Sequence, residues 1–189
     1  MGSDDAKPKD ATAVALAVGE NIVLRAWQPA DAAVAWKLVD AERERLGQWL
    51  SWVDRTTSPA DLASFITASR QALTDGTGCD LALTVGGTVV GGVGLCDIAG
   101  GHGTLGYWIS GAWQRLGMAT KASRAVVAHG FGPLGLWRIE IWMIAGNSRS
   151  RALAERLGFV PEATLRRRQL HRDTWHDQVV YGMLKDEFL

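Results

Sequence analysis

A chain of 189 residues with a formal net charge of zero is long enough for one domain with a sizeable core. Its hydrophobic share of 47% and charged share of 21% are typical of a globular protein, and they favour neither a nucleic-acid partner nor an anionic membrane surface. No apolar run approaches the ~20 residues that span a bilayer, and two cysteines are too few for a disulfide framework or a zinc site. We therefore expect a cytoplasmic protein without a bound metal, either a monomer or a homodimer.

The N-terminal part of the chain predicts a tail, a strand pair and two helices. Residues 1–12 are polar and predict a disordered tail, which leaves 13–189 as a single domain. Ser58 is a good N-cap with Pro59 at the first helical position, so a helix is expected to follow and to end near residue 73. The other elements expected here are strands over 13–18 and 22–27 and a helix over 30–46.

Glycines punctuate the middle of the chain. Gly86-Gly87 predicts a tight hairpin between strands over 80–85 and 88–95. The run Gly91–Gly94 is not followed by a helix, which excludes a dinucleotide-binding loop and favours a twist or a bulge. Residues 100–103 are expected to form a loop.

The stretch 105–124 is the most informative part of the sequence. Its apolar start, over 105–109, predicts a buried strand, and a loop then leads into a helix that opens near Gln114–Thr120. The N–H groups of a first helical turn have no partners within the helix, and Gly117 allows a close approach to the backbone. A phosphate or a pyrophosphate is therefore the expected ligand at this helix N-terminus.

The C-terminal part predicts a strand, a helix and a hairpin. A strand over 136–144 places Arg138, Glu140 and Trp142 on one face and apolar residues on the other. Three consecutive arginines, 166–168, lie in the first strand of the terminal hairpin, and strict alternation would prevent all three from facing one way. A solvated face is favoured there over a docking patch for an acidic acceptor. The remaining predicted elements are a helix over 147–156, ending at Gly158, and paired strands over 164–171 and 175–184.

Two sequence blocks carry a family resemblance. Gln114-x-x-Gly117-x-Ala119 fits the Q/R-x-x-G-x-G/A signature of the GCN5-related N-acetyltransferases, and Gly106–Ile109 ahead of it resembles the branch that acetylates ribosomal proteins. Asn147-x-x-Ser150 followed by Gly158-Phe159 resembles the second block of that family. The resemblance covers residues 20–185. It implies an α/β (α+β) fold with a mixed, mostly antiparallel sheet of six to seven strands, about four flanking helices and splayed central strands.

The resemblance also implies a site. The cofactor would be acetyl-CoA, and the residues implied to bind it are Tyr107, Trp108, Ile109, Gln114, Arg115, Leu116, Gly117, Met118, Ala119, Thr120, Asn147, Ser150 and Arg151. Ser150 would protonate the leaving thiolate, and a backbone N–H near Trp108 would polarise the acetyl carbonyl. The acceptor side would involve Trp49, Trp52, Gln169 and His176.

Two positions depart from the family pattern. Ala154 stands where many relatives carry an acid tyrosine, and Gln169 stands where the branch carries a carboxylate that helps to deprotonate the amine. Either no dedicated base is used, or Glu140, His171 or His176 reaches the amine through water. The favoured function is acetylation of a protein or peptide N-terminal α-amine. A small-molecule amine acceptor and a non-catalytic acyl-CoA-binding module remain alternatives.

Overall fold

The computed structural model describes residues 14–188, so the tail predicted over 1–12 lies outside the described residues. Eight strands and six α-helices are present in this part of the chain. The strands are β1 (Ala15–Gly19), β2 (Ile22–Ala26), β3 (Cys79–Val85), β4 (Thr88–Ala99), β5 (His102–Ile109), β6 (Arg138–Ile144), β7 (Val160–His171) and β8 (Thr174–Leu184). The helices are α1 (Asp31–Ala41), α2 (Arg43–Gly47), α3 (Ser51–Arg55), α4 (Pro59–Asp75), α5 (Met118–Phe131) and α6 (Ser148–Leu157).

The strands form one sheet in the order β1-β2-β3-β4-β5-β6-β8-β7. Of the described pairs, β5 and β6 alone run parallel. A parallel pair needs a crossover connection, and α5 supplies it. The predicted mixed, mostly antiparallel α/β sheet is therefore confirmed, whereas the expected six to seven strands and four helices are too few.

Helices cover the two faces of the sheet unequally. On one face, Ala122 and Val126 of α5 pack with Leu105 and Ile109 of β5 in the main core. On the other face, Trp108 packs against smaller clusters that contain residues of α1, α3 and α4. Neighbouring residues of β5 therefore project to opposite faces, as the period of a strand requires. No described helix has both the length and the apolar character of a membrane span.

Several predicted boundaries differ in the structure. The helix expected over 30–46 is interrupted at Glu42, which leaves the helical region with φ −121° and ψ 20°. Pairing of Ala99 with His102 extends β4 and β5 into the expected loop over 100–103, and reduces it to the turn Gly100-Gly101. The helix expected to open near Gln114 begins at Met118, after a short 3₁₀ turn over Gly111–Trp113.

The strand β7 does not alternate as the sequence suggested. Leu165 pairs with Gln178 and Gln169 with His176, so four steps along β7 oppose two steps along β8. The three arginines 166–168 occupy this bulge, with Arg167 at φ 47°. The alternation argument does not apply here, because it assumes an unbroken ladder. The three arginines are exposed, as the favoured solvated face predicted.

Candidate active site

A gap opens between β5 and β6. Their parallel pairing covers three residue pairs and ends at Thr104 and Glu140. On the other side of β5, the Ser110 N–H donates to Val90 O at 2.9 Å. Because main-chain groups alternate in direction along a strand, those of Tyr107 and Ile109 are directed toward the gap. The expected splaying is therefore present, with polar backbone along one wall.

The N-terminus of α5 lies at the end of this gap. Its first helical bond runs from Lys121 N to Gly117 O at 3.0 Å, so the N–H groups of Met118, Ala119 and Thr120 precede the hydrogen-bonded part of the helix. Gly117 has φ 72°, and a Cβ built on it would meet no atom within 4 Å. This left-handed, open position leaves space for an anion in front of the helix.

The gap and the helix N-terminus belong to one cleft with a volume of about 790 Å³. Most of the residues implied by the two sequence blocks line it: Tyr107, Trp108, Ile109, Gln114, Arg115, Gly117, Met118, Ala119, Thr120, Asn147 and Ser150. Leu116 and Arg151 are not part of the lining. Leu116 is 60% exposed, and the Arg151 Nε donates to Tyr181 Oη at 3.3 Å.

Two arginines of α6 enter the cleft in place of Arg151. Arg149 and Arg156 both line it, and they bond to Gln114 Oε1 at 3.4 Å and Thr120 Oγ1 at 3.1 Å, respectively. Four of the cleft residues of this helix, Arg149, Ala152, Leu153 and Arg156, follow the i, i+3, i+4, i+7 spacing of one helical face. The same spacing, applied from Arg149, was the signal that could have identified Arg156 from the sequence.

A pair of hydroxyl groups faces the cleft where β5 meets α6. Tyr107 Oη and Ser150 Oγ are 2.8 Å apart. Burial raises the pKa of Tyr107, and the hydrogen bond with Ser150 offsets part of this effect. The phenol is therefore protonated at neutral pH and can donate to Ser150. The Ser150 N–H donates to Asn147 Oδ1 at 3.2 Å, so Asn147 caps α6 and fixes the serine.

A second contact fixes the corner between β5 and the following turn. The Gly111 N–H donates to the Glu42 carboxylate at 2.7 Å, and Arg45 contacts Glu42 and donates to Ile109 O at 2.9 Å. Sequence reasoning missed both residues, because 69 positions separate Glu42 from Gly111.

The predicted acceptor residues are distributed around two cavities. A groove of about 530 Å³ contains Glu140 and Gln169 but not Ser150. Glu140 accepts hydrogen bonds there from Arg138 Nε at 2.8 Å and Trp142 Nε1 at 2.7 Å. Since Glu140 alternates with the core residues Ile139 and Ile141, this groove lies on the face opposite α5.

Of the remaining acceptor candidates, Trp49 alone lines one of these cavities, and Trp52 and His176 contact residues that do. Trp49 lines the 790 Å³ cleft, and Trp52 packs edge-on against Trp108 with ring centroids 6.1 Å apart. His176 pairs with Gln169 across the terminal hairpin. His171 is buried and hydrogen-bonds to Gly47 O at 2.7 Å.

The hydrogen-bonding and cationic groups of the cleft fit a nucleotide-derived thioester with a diphosphate. Unpaired N–H groups, the Gly117 opening and the guanidinium groups of Arg115, Arg149 and Arg156 suit the anionic end. Backbone groups of Tyr107 and Ile109 suit amide groups, and the hydroxyl pair lies further along the same cleft.

Comparison with known proteins gives a consistent result. The model of the acetyltransferase (GNAT) domain family matches residues 21–160. YdaF of Bacillus subtilis strain 168, whose name marks it as a proposed ribosomal N-acetyltransferase, is 31% identical over 174 residues, which cover 90% of this chain and 95% of YdaF.

Two solved structures share the fold at lower identity. RimL, a ribosomal L7/L12 alpha-N-protein acetyltransferase in complex with coenzyme A, superposes with a TM-score of 0.87 at 20% identity, over 90% of this chain and 98% of RimL. The microcin C7 self-immunity acetyltransferase MccE, in complex with acetyl-CoA and AMP, gives 0.85 at 22% identity, over 93% and 98%.

Proposed function

Because the chain belongs to the GNAT acetyltransferase family and is an N-acetyltransferase, we propose that it acetylates the N-terminal α-amine of a protein or peptide. Acetyl-CoA is its acetyl donor, and the observation that carries the proposal is the single cleft that joins the α5 N-terminus to the Tyr107–Ser150 hydroxyl pair. YdaF and RimL, which carry ribosomal acetyltransferase names, support a protein acceptor.

The donor is held by backbone and arginine groups. The N–H groups of Met118, Ala119 and Thr120 bind the diphosphate, and Arg149 and Arg156 neutralise its charge. Main-chain groups of β5 bind the amide-containing arm along the gap left by β6. When bound, acetyl-CoA supplies an acetyl group activated as a thioester.

Ser150 acts as the general acid for the leaving sulfur. Its Oγ would donate a proton to the sulfur as the carbon–sulfur bond breaks, and Tyr107 Oη would return a proton to Ser150 Oγ along their 2.8 Å hydrogen bond. Water would then reprotonate the Tyr107 phenolate. The raised pKa of Tyr107 keeps this phenol protonated before each turnover. Ala154 has no ionisable side chain and is fully buried, so the position of the family tyrosine contributes no acid.

The acceptor amine needs little assistance from a base. A peptide α-amine has a pKa of about 7.7–8.0, so a substantial fraction is neutral at pH 7, whereas a lysine amine has a pKa of about 10.4. Gln169 cannot accept the proton in place of a carboxylate, and Glu140 lines a groove that does not contain Ser150. A site without a dedicated base therefore favours an α-amine, which loses its proton to water.

The test is acetylation of matched acceptors. The protein and acetyl-CoA are incubated with peptides that have a free N-terminus and one internal lysine, with the same peptides blocked at the N-terminus, and with small amines. Mass spectrometry locates the acetyl group, and a thiol reagent follows release of CoA. We expect modification at the α-amine of the free peptides. Turnover restricted to small amines would contradict the proposal, and binding of acetyl-CoA without any transfer would identify a non-catalytic module.

A further inference from the structure

The bulge of β7 presents three adjacent guanidinium groups to solvent. Arg166, Arg167 and Arg168 are all exposed, and none of their side chains makes an ion pair or a hydrogen bond with another residue of 14–188. Five other arginines of residues 14–188 have carboxylate partners, as in the pairs Arg25–Asp31 and Arg172–Asp54. Three uncompensated charges are therefore concentrated in one segment of a chain whose net charge is zero.

This segment is held in a defined conformation. The Arg167 N–H donates to Asp177 Oδ1 at 2.9 Å, and Arg167 has a left-handed φ of 47°. A bulge breaks the alternation of a strand and redirects its side chains. Because of the bulge, the three arginines do not follow the regular alternation on which the expectation of a solvated strand face was based.

The bulge borders the groove on the acceptor face. Arg168 lines the 530 Å³ groove together with Thr104, Glu140 and Gln169. Thr104 lies three residues before Tyr107 on β5, which corresponds to about 10 Å along the strand at about 3.3 Å per residue. The path of the acceptor is longer than this, because the groove and the hydroxyl pair lie on opposite faces of the sheet. An amine placed beside the hydroxyl pair would therefore be followed, about three to five residues later, by the part of the acceptor that reaches Arg168.

We propose that the arginine bulge, residues 166–168, selects acceptor peptides that carry Asp or Glu at about the third to fifth position after the α-amine. This inference rests on the proposed function and adds a sequence preference to it. Guanidinium groups pair with carboxylates in a bidentate geometry, and an exposed cluster of one sign attracts the opposite charge over a Debye length of about 10 Å at 0.1 M salt.

The test compares two peptides that differ only in Glu against Gln at positions three to five. With the wild-type protein at low salt, we expect kcat/KM to be about tenfold higher for the Glu peptide, because each of several exposed ion pairs contributes a few-fold. The preference should decrease as the salt concentration rises. In the Arg166→Gln/Arg168→Gln variant it should fall below twofold, while the Gln peptide reacts as before and the Kd for CoA is unchanged.

Two matched variants separate charge from structural damage. Arg166→Lys/Arg168→Lys keeps both charges and should retain most of the preference, and Lys37→Gln removes an exposed charge from α1 and should have no effect.

Equal rates for the two peptides with the wild-type protein would refute the inference and leave the proposed function intact. A preference for the Glu peptide that persists in the Arg166→Gln/Arg168→Gln variant would also refute the inference. A small anionic amine that reacts faster than both peptides would refute a peptide occupant. Failure to acetylate either peptide, although CoA binds, would refute the proposed peptide acceptor itself.

Discussion

The substitution Gly117→Trp tests the cofactor cleft directly. A Cβ at Gly117 points into open space, so an indole at this position would occupy the volume in front of the α5 N-terminus. A hydrogen bond from an N–H group to a charged partner contributes about 1.5–3 kcal/mol, and we expect the indole to displace the diphosphate from at least two of them. The resulting loss of about 3–6 kcal/mol corresponds to a Kd for CoA that is at least about 100-fold weaker.

The same change strains the backbone, and this effect needs a control. A non-glycine residue in the left-handed region costs about 1–2 kcal/mol, and Gly117 has φ 72°. Gly135 provides the match, since it has φ 66° and equally open surroundings but lies in the loop before β6, away from the cleft. Gly135→Trp should lower the Tm to a similar extent, by about 2–4 °C per kcal/mol for a chain of this size, while CoA binding stays within threefold of wild type.

Isothermal titration calorimetry with CoA measures the affinity, and thermal unfolding measures the stability of the same samples. If Gly117→Trp bound CoA within threefold of the wild-type protein, the diphosphate would not lie at the α5 N-terminus. Equal loss of affinity in both variants would indicate general destabilisation instead of blockage of the cleft.

Further predictions concern proton transfer, pH and packing. Ser150→Ala and Tyr107→Phe should each lower kcat about tenfold or more at pH 7. The defect should shrink as the pH rises past a thiol pKa of about 8.5, because a thiolate then leaves without a proton. A defect that is independent of pH would contradict this role. Burial raises the pKa of Asp80 from 3.8 to about 6, so its ionisation costs up to about 3 kcal/mol and stability should fall as the pH rises from about 4 to 6. Asp80→Asn should therefore raise the Tm at pH 7 but not at pH 4, and equal effects at the two pH values would refute this. Gly91→Ala would place a Cβ 2.3 Å from Trp108 O, so it should lower both the Tm and kcat. Gly106→Ala on β5 is the control: its Cβ meets nothing within 4 Å, so the Tm should stay within about 2 °C of wild type.

Features encoded in short segments could be read from the sequence. Ser58 and Asp61 form the capping box at the start of α4, and Gly76 ends that helix with φ 72°. Both cues involve neighbours along the chain, so local preference and final structure agree. The loop around Gly117 and the cap at Asn147 are similarly local, which is why most of the residues predicted from the two sequence blocks line one cleft.

Features that depend on distant contacts could not be read in the same way. Glu42 lies within a stretch with helical spacing, yet its carboxylate binds Gly111 and the helix breaks there, because a tertiary contact overrides a weak local preference. The hydrogen bond between Tyr107 and Ser150 joins residues 43 positions apart. The resemblance implied Arg151, whereas Arg149 and Arg156 line the cleft, because residue type alone does not say which face of α6 borders it.

One topological feature accounts for both halves of the donor site. The parallel pairing of β5 and β6 requires a crossover, and the chain makes it with α5, whose N-terminus consequently lies at the C-terminal end of β5. Because β6 pairs with β5 only as far as Thr104, the main-chain groups of Tyr107 and the N–H of Ile109 stay available next to that helix N-terminus, while Ile109 O accepts from Arg45. An anion site and an extended polar wall therefore become neighbours without any long-range sequence signal. The acceptor face has no equivalent constraint, since it is built from side chains of β6 and from the irregular strand β7. For this reason we expect the acceptor preference, more than donor binding, to respond to substitutions in the arginine bulge.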